Sequence, residues 1–344
     1  MSLQSALVTG GGGFTGSHLV RSLVRDGVRV RVLTRNGLRS REKLPASVEL
    51  VEGRVEQPDA VERAVRGCEV VFHLATSFRT AKITDEEHRA IHVDGTRFLL
   101  DASRRHGVRR FVHVSTIGVT SSVEHPPGDE TLPYSPDDVY QQTKAEGEQL
   151  ALASHRRHGD PVVVVRPTSI YGPGDDRLLK LFRLVAKGRF VMFGSGEVFF
   201  HMIHVDDLVR GLRLAATAAE EAVLGQVFIL GGGEYTTLND LVSRIARATG
   251  GSEPRLHLPV KPLLAVGSVV ERLFRPLRIE PPIFRRRVNW FVKNRAFSIE
   301  KATRVLGFHP EIALDRGLRQ TVRWYRSHGL LPAAVPVRPA ALQR

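Results

Sequence analysis

A chain of 344 residues, 42% apolar and 25% charged, is long enough for one large α/β domain or for such a domain with a smaller lobe. Its single cysteine, Cys68, excludes an internal disulfide and a thiolate metal cluster. The opening residues lack the basic and apolar regions of a signal peptide, so a reducing cytoplasm is the expected location. The formal charge of +14 is concentrated late, with 16 Lys/Arg against 5 Asp/Glu in residues 255–330. That excess reads as a general preference for arginine or as a basic face toward anionic lipid or a phosphorylated ligand. No nucleic-acid module accompanies it.

In chain order, Ser5–Thr9 is a short apolar run that stops at Gly10-Gly11-Gly12-Gly13-Phe14-Thr15-Gly16. SHLVRSLVRDG follows, with Leu19, Leu23 and Val24 on one helical face, and then the alternating strand VRVRVL. Gly10 permits the tight turn, Gly13 a close backbone approach to a pyrophosphate, and Gly16 close helix–strand packing. The pyrophosphate then rests on the helix N-terminus with Phe14 at its side. The second strand ends Leu33-Thr34-Arg35-Asn36, with Arg39 and Arg41 close behind and no acid in reach, so Arg35 is matched to the 2′-phosphate of NADP. A surface arginine, and with it NAD, is the other reading.

VVFHLAT (70–76) follows, and FVHVSTIGV (111–119) reads as the end of a further strand. The turn-rich PYSPDD precedes YQQTK (140–144), where Tyr140 and Lys144 share a helix face and Asp137 or Asp138 caps the helix. Further on stand RPTSIYGPGD (166–175) and HVDDL (204–208). KPLLAVGSVVERLF (261–274) places Leu263, Val266, Val270 and Phe274 at helical spacing, as an ordinary lid helix or as a segment lying on a membrane. The apolar runs are too short to span a bilayer. LPAAVPVRPAALQR (331–344) has three prolines and reads as a loose tail.

The glycine loop, VVFHLAT, YQQTK, RPTSIYGPGD and HVDDL, in that order, resemble the extended short-chain dehydrogenase/reductase family over roughly residues 5–330. The likeness is to the hydroxysteroid-dehydrogenase and dihydroflavonol-reductase branch and to hopanoid-associated epimerase-like proteins. The resemblance implies an α/β doubly wound Rossmann sheet with a smaller C-terminal substrate-binding lobe. Residues 1–168 and 205–232 would form the dinucleotide domain, and 169–204 and 233–330 the lobe. It implies Tyr140 as general acid/base, with Lys144 supporting it, because a free phenol with a pKa of about 10 transfers protons poorly at neutral pH. Thr116 would hydrogen-bond the substrate oxygen, with Ser115 the alternative. Thr34, Arg35, Asn36, Ala75, Thr76, Ser115, Pro167 and Thr168 would join the glycine loop around the cofactor, NADP by preference and NAD otherwise.

Two positions depart from the family. Arg54 stands where an acid near the adenine is usual, either stacking on it or simply at the surface, and His92 replaces an asparagine in HVDGT. Phe200 and Ser169 stand where the nucleotide-sugar branch places a diphosphate-binding arginine and an asparagine, so both are expected at the substrate. Arg272, Arg275 or Arg285–Arg287 could replace that arginine. The implied reaction interconverts a secondary alcohol and a ketone on an apolar or lipid-like substrate, without metal. The alternative is a nucleotide-sugar epimerase or dehydratase that recycles its NAD(P). A homodimer and a peripheral contact with anionic membrane are left open.

Overall fold

The computed structural model describes residues 3–77, 83–254, 256–260, 262 and 289–332. Strands and helices alternate from the start: β1 (Ser5–Thr9), α1 (Phe14–Arg25), β2 (Arg29–Thr34), α2 (Gly37–Arg41), β3 (Glu49–Glu52), α3 (Pro58–Val65) and β4 (Val70–His73). There follow α4 (Asp85–Arg89), a π-helical turn (Ala90–Asp94), α5 (Gly95–Arg105), β5 (Arg110–Val114), a 3₁₀ turn (Ile117–Thr120), α6 (Val139–His158) and β6 (Val162–Pro167). Seven parallel strands pair in the order β10-β6-β5-β4-β1-β2-β3, with β10 at Val227–Leu230.

The sequence dictates this sheet. Strands β1, β4, β5 and β6 are buried along their whole length, the mark of a sheet covered on both faces. Alternation along β1 sends Ala6 and Val8 to one face with Leu19, Leu23 and Leu212, and Leu7 to the other with Val61, Leu99 and Ala151. The strand order runs outward in opposite directions from β1 and β4, so a crevice opens beyond their carboxyl ends, where such sheets bind ligands. This is the doubly wound sheet the sequence implies.

The lobe begins with β7 (Ser169–Tyr171), α7 (Leu179–Ala186), β8 (Met192–Phe193) and β9 (Phe199–His204), after which α8 (Val205–Thr217) and α9 (Glu220–Val223) lead back to β10. It is completed by β11 (Tyr235–Thr237), α10 (Leu238–Thr249), β12 (His257–Leu258) and, after α11 (Glu300–Leu306), which packs Ala302 and Leu306 into the sheet-side core with α8, by α12 (Leu314–Ser327). Strand β9 lies between β7 and β11, and β8 pairs with β12. Phe182, Leu241, Ile245, Leu318 and Tyr325 form the lobe's own core.

The HVDDL motif joins the two parts. Buried Asp207 accepts the N–H groups of Glu311 and Ile312 at 3.0 Å each and pairs with Arg210. No helix among the described residues is long and apolar enough to cross a membrane. The basic amphipathic stretch (Leu263, Val266, Val270, Phe274 with Arg272 and Arg275), Arg285–Arg287 and all but the first two residues of the tail lie outside the described residues.

Candidate active site

The glycine loop is shaped as its chemistry requires. Gly10 has φ +72°, and a Cβ there would lie 2.9 Å from the backbone of Leu74 and Ala75, while one on Gly16 would lie 2.2 Å from the Gly10 carbonyl. The Gly13 N–H closes the turn onto the Gly10 carbonyl at 3.0 Å. Gly13 also caps α1 with no side chain over the helix end and no acid in the first turn, leaving N–H groups and the positive end of the macrodipole for an anion. The Phe14 ring lies under the Arg177 guanidinium, 5.3 Å away, at the loop after β7. Around the rest of the crevice the buried hydroxyls of Ser115 and Thr168 have no hydrogen-bond partner among the described residues. A cradle that only glycine fills and two orphaned buried hydroxyls fit a bound dinucleotide.

At the end of β2, Thr34 shares a 2.6 Å hydrogen bond with Ser40, Asn36 caps α2 by accepting from the Arg39 N–H at 2.9 Å, and Arg35 is exposed. An acid does reach this point, contrary to the expectation from sequence. Pairing of β2 with β3 sets Glu52 beside Thr34, and its carboxylate accepts from the Gly37 N–H at 3.4 Å. Arg54 pairs with Glu56 at 2.5 Å, at an exposed position.

Helix α6 carries the candidate acid and its support. Asp138 caps it, accepting from the Gln141 N–H at 2.8 Å, the second of the two caps the sequence offered. Lys144, one turn beyond the half-buried Tyr140, is fully buried and donates to the Val114 carbonyl at 2.6 Å. Burial pushes its ammonium down to about 8. Thr116 caps the 3₁₀ turn, accepting from the Gly118 N–H at 3.1 Å. Its own O–H proton therefore stays available as a donor. Gly118 lies between Thr116 and Gln141 of α6, which brings the threonine beside the first turn of that helix.

Several contacts within this site were not legible beforehand. His88 and His92 stand edge-on to Tyr140, with ring centroids 6.2 and 5.3 Å away. The Thr76 hydroxyl, assigned from sequence to the cofactor, turns to His92 at 2.9 Å. Lys293 reaches across from the lobe to Asp137 at 2.5 Å and to Ser121 at 2.6 Å, tying the segment just before α6 to the lobe. Arg166 of the RPT motif is structural, clasping buried Glu148 of α6 at 2.6 Å, with Tyr134 on the same carboxylate at 2.8 Å.

On the lobe side, Ser169 opens β7 beside Pro167 and Thr168, and the Thr168 N–H bonds the Leu230 carbonyl at 2.9 Å. Phe200 is only 1% exposed, packed 4.7 Å from the Trp290 ring. The absence of a cation at this position, expected from sequence, needs correcting too, because Arg295 bridges to Phe200 and holds its guanidinium 5.5 Å from the ring.

Residues 6–231 match the NAD dependent epimerase/dehydratase family. The chain belongs to that family. It is thus an extended short-chain dehydrogenase/reductase, as its motifs imply, and an enzyme of a class that works through a nicotinamide cofactor. Its relatives span both candidate chemistries. The 2-alkyl-3-oxoalkanoate reductase of Stenotrophomonas maltophilia is 32% identical over 91% of this chain and 97% of its own. The 3 beta-hydroxysteroid dehydrogenase/Delta 5-->4-isomerase of Mycobacterium tuberculosis (strain H37Rv) is 31% identical over 94% of this chain and 91% of its own. Among solved structures, a double mutant of the dTDP-glucose 4,6-dehydratase of Streptomyces venezuelae, with NAD bound, superposes with a TM-score of 0.73 at 26% identity, covering 93% of this chain and 96% of its own.

Proposed function

We propose that the protein reduces a ketone, or oxidises the matching secondary alcohol, on a neutral and largely apolar substrate, with NADP as the preferred cofactor. The observation that supports this is the placement of Tyr140 and buried Lys144 one turn apart on α6, with Thr116 near Gln141 in the first turn of that helix. When bound, the nicotinamide supplies or accepts the hydride. Thr116 donates its O–H to the carbonyl oxygen and orients it, while its own oxygen is held by the Gly118 N–H. Tyr140 delivers a proton to the same oxygen, and the Lys144 ammonium favours the negative charge this leaves on the phenol. Gly10, Gly13 and Gly16 with the start of α1 hold the pyrophosphate, and Ser115 and Thr168 offer hydroxyls to the nicotinamide end. The lobe of residues 169–204 and 233–330 would enclose the substrate with Ser169 at its edge, while Phe200, expected from sequence at the substrate, is buried in the lobe core.

One observation favours a second reading, a nucleotide-sugar epimerase or dehydratase. Arg295 beside Phe200 restores a cation to the lobe where such enzymes bind diphosphate. Calorimetric titration with UDP in the presence of NADP⁺ separates the two. A neutral-substrate site binds UDP no better than about millimolar, near −4 kcal/mol, since a diphosphate there loses water without regaining enough charged partners. A micromolar complex would overturn the first reading and establish the second. Steady loss of reduced-nicotinamide absorbance on adding an accepted ketone tests the same division from the chemical side, because an epimerase returns its cofactor unchanged.

A further inference from the structure

The loop that leaves β4, Ala75–Ser77, sits at the crevice between β1 and β4, and it is held by two chains of hydrogen bonds whose directions can be deduced. In the first, the Ala75 N–H can only donate, so it gives its proton to Thr9 Oγ1 at 3.1 Å. At the far end the Thr96 hydroxyl gives its proton to the His92 carbonyl at 2.6 Å, which can only accept. Thr96 therefore accepts from His73 Nε2–H at 3.0 Å, and His73 Nδ1 accepts from the Thr9 hydroxyl at 2.8 Å. Burial pushes His73 down to about 3, so it stays neutral in this arrangement.

The second chain runs through the His92 side chain. The Ser77 N–H faces His92 Nε2 at 3.2 Å, and being a donor it requires that nitrogen to carry a lone pair. The Thr76 and Ser77 hydroxyls approach the same atom at 2.9 and 3.2 Å. Opposite, His92 Nδ1 lies 2.8 Å from Thr143 Oγ1, whose own proton goes to the Val139 carbonyl at 2.9 Å. The proton of neutral His92 is thus on Nδ1, and Thr143 is its acceptor. A second proton, on Nε2, would point at a backbone N–H that cannot turn away.

We propose that His92 is a positioning residue for this active site, locked as the neutral Nδ1–H tautomer, which fastens the loop Ala75–Ser77 to the face of α6 that carries Tyr140 and Lys144. Its ring stands at 86° to that of Tyr140 and braces it, while Thr143, between the two catalytic residues, receives its proton. An asparagine, the residue the resemblance leads one to expect here, carries an NH₂ donor group and an acceptor oxygen and can satisfy the Thr143 and Ser77 ends together. The titratable groups around the ring are His88 from α4, Tyr140 and Lys144 from α6, His73 from β4 and His113 from β5. Both of the last two are held neutral by burial.

The proposal rests on Tyr140 being the acid, and the test separates failure of that reading from its own. Ring ¹⁵N shifts and couplings of His92 in the free enzyme report the tautomer without any substrate. They are expected to show Nδ1–H unchanged between about pH 5.5 and 8, where an ordinary histidine titrates. With any ketone the enzyme accepts, His92→Leu should lower kcat by roughly 10- to 100-fold, the range for a misplaced reacting group, with KM within about 3-fold. His92→Asn should recover kcat to within about 3-fold of the parent by supplying both hydrogen bonds. An Nε2–H tautomer, a ring that titrates normally, or an asparagine variant as slow as the leucine one would each overturn the proposal. Should the leucine variant fail to fold, the spectrum and the asparagine variant still decide. A Tyr140→Phe protein at full rate would instead remove the acid/base reading and leave the tautomer standing.

Discussion

The two sides of the crevice are built by different means. On the nucleotide side, backbone does the work: Gly10 and Gly16 sit where any Cβ would meet main chain within 3 Å, and no side chain caps the N-terminus of α1. On the lobe side, side chains from distant segments meet, with Phe200 from β9, Trp290 and Arg295 from the segment before α11, and Lys293 reaching Asp137. A backbone site tolerates almost no change at its glycines and leaves its ligand little choice. A side-chain site can be rebuilt residue by residue, as relatives naming a reductase, a hydroxysteroid dehydrogenase and a sugar dehydratase illustrate.

The junction of the two sides gives the largest expected effect. Tyr140→Phe should lower turnover by roughly 10²–10⁴, the range for losing a general acid, while NADPH binds as before, since the glycine loop is untouched. Steady-state rates and a fluorescence titration of the cofactor measure the two. A variant that turns over normally defeats the mechanism.

The comparison itself is sharpened by a pair of substitutions. Phe200→Ala empties a site only 1% exposed in the lobe core and should cost about 3–5 kcal/mol of stability while leaving the dinucleotide affinity near that of the parent. Gly16→Ala should do the reverse. Its Cβ would press on the Gly10 carbonyl at 2.2 Å, shift the loop, and weaken NADPH by about 2–3 kcal/mol through lost N–H bonds to phosphate. Denaturant unfolding and cofactor titration of both proteins check the pattern. A large loss of cofactor affinity in Phe200→Ala would mean that the two sides are not separable.

What could be read beforehand follows the same line. The glycine loop, the parallel sheet and the Tyr140/Lys144 pair depend on local spacing, and local spacing is visible in a sequence. The Asp138 cap was legible for that reason too. Glu52 was not, because it reaches the end of β2 through strand pairing and not through chain order. Arg295 beside Phe200 and Lys293 on Asp137 join residues 95 and 156 positions apart, and no periodicity announces such a meeting. His92 was noticed as a departure from the family. Its neighbours gave it a meaning.

Lys144 tests how much stability the site gives up for its chemistry. With its ammonium lowered to about 8 from an ordinary 10.5, the fold disfavours the charged form, so burial costs stability wherever the unfolded chain keeps that proton. The cost is full below about pH 8, shrinks as pH rises toward 10.5, and is absent above. Lys144→Met should therefore be inactive yet more stable than the parent at pH 7, by on the order of 1–3 kcal/mol after loss of the bond to the Val114 carbonyl. The advantage should narrow between about pH 8 and 10.5. Unfolding by urea at pH 7 and near pH 10 measures both values, and an advantage that grows with pH would contradict the assignment.

The smallest effect concerns the choice of cofactor, where the two kinds of construction meet. Arg35 is exposed at the end of β2 and suits a 2′-phosphate, and Glu52 stands close by at the end of β3, bonded to the Gly37 N–H. A guanidinium bond to phosphate contributes about 1–3 kcal/mol, so NADPH should bind roughly 5- to 150-fold more tightly than NADH. The Glu52 carboxylate works against this, because it repels the same phosphate and can accept from ribose hydroxyls. Arg35→Asp should then shrink or reverse the preference, and Glu52→Gln should enlarge it while leaving the Gly37 contact to the amide oxygen. Comparative titration of both reduced cofactors by nicotinamide fluorescence gives all six constants. If the parent binds the two equally and Glu52→Gln shifts neither, the 2′-phosphate is not read at this edge, and side-chain chemistry plays no part in the nucleotide half of the site.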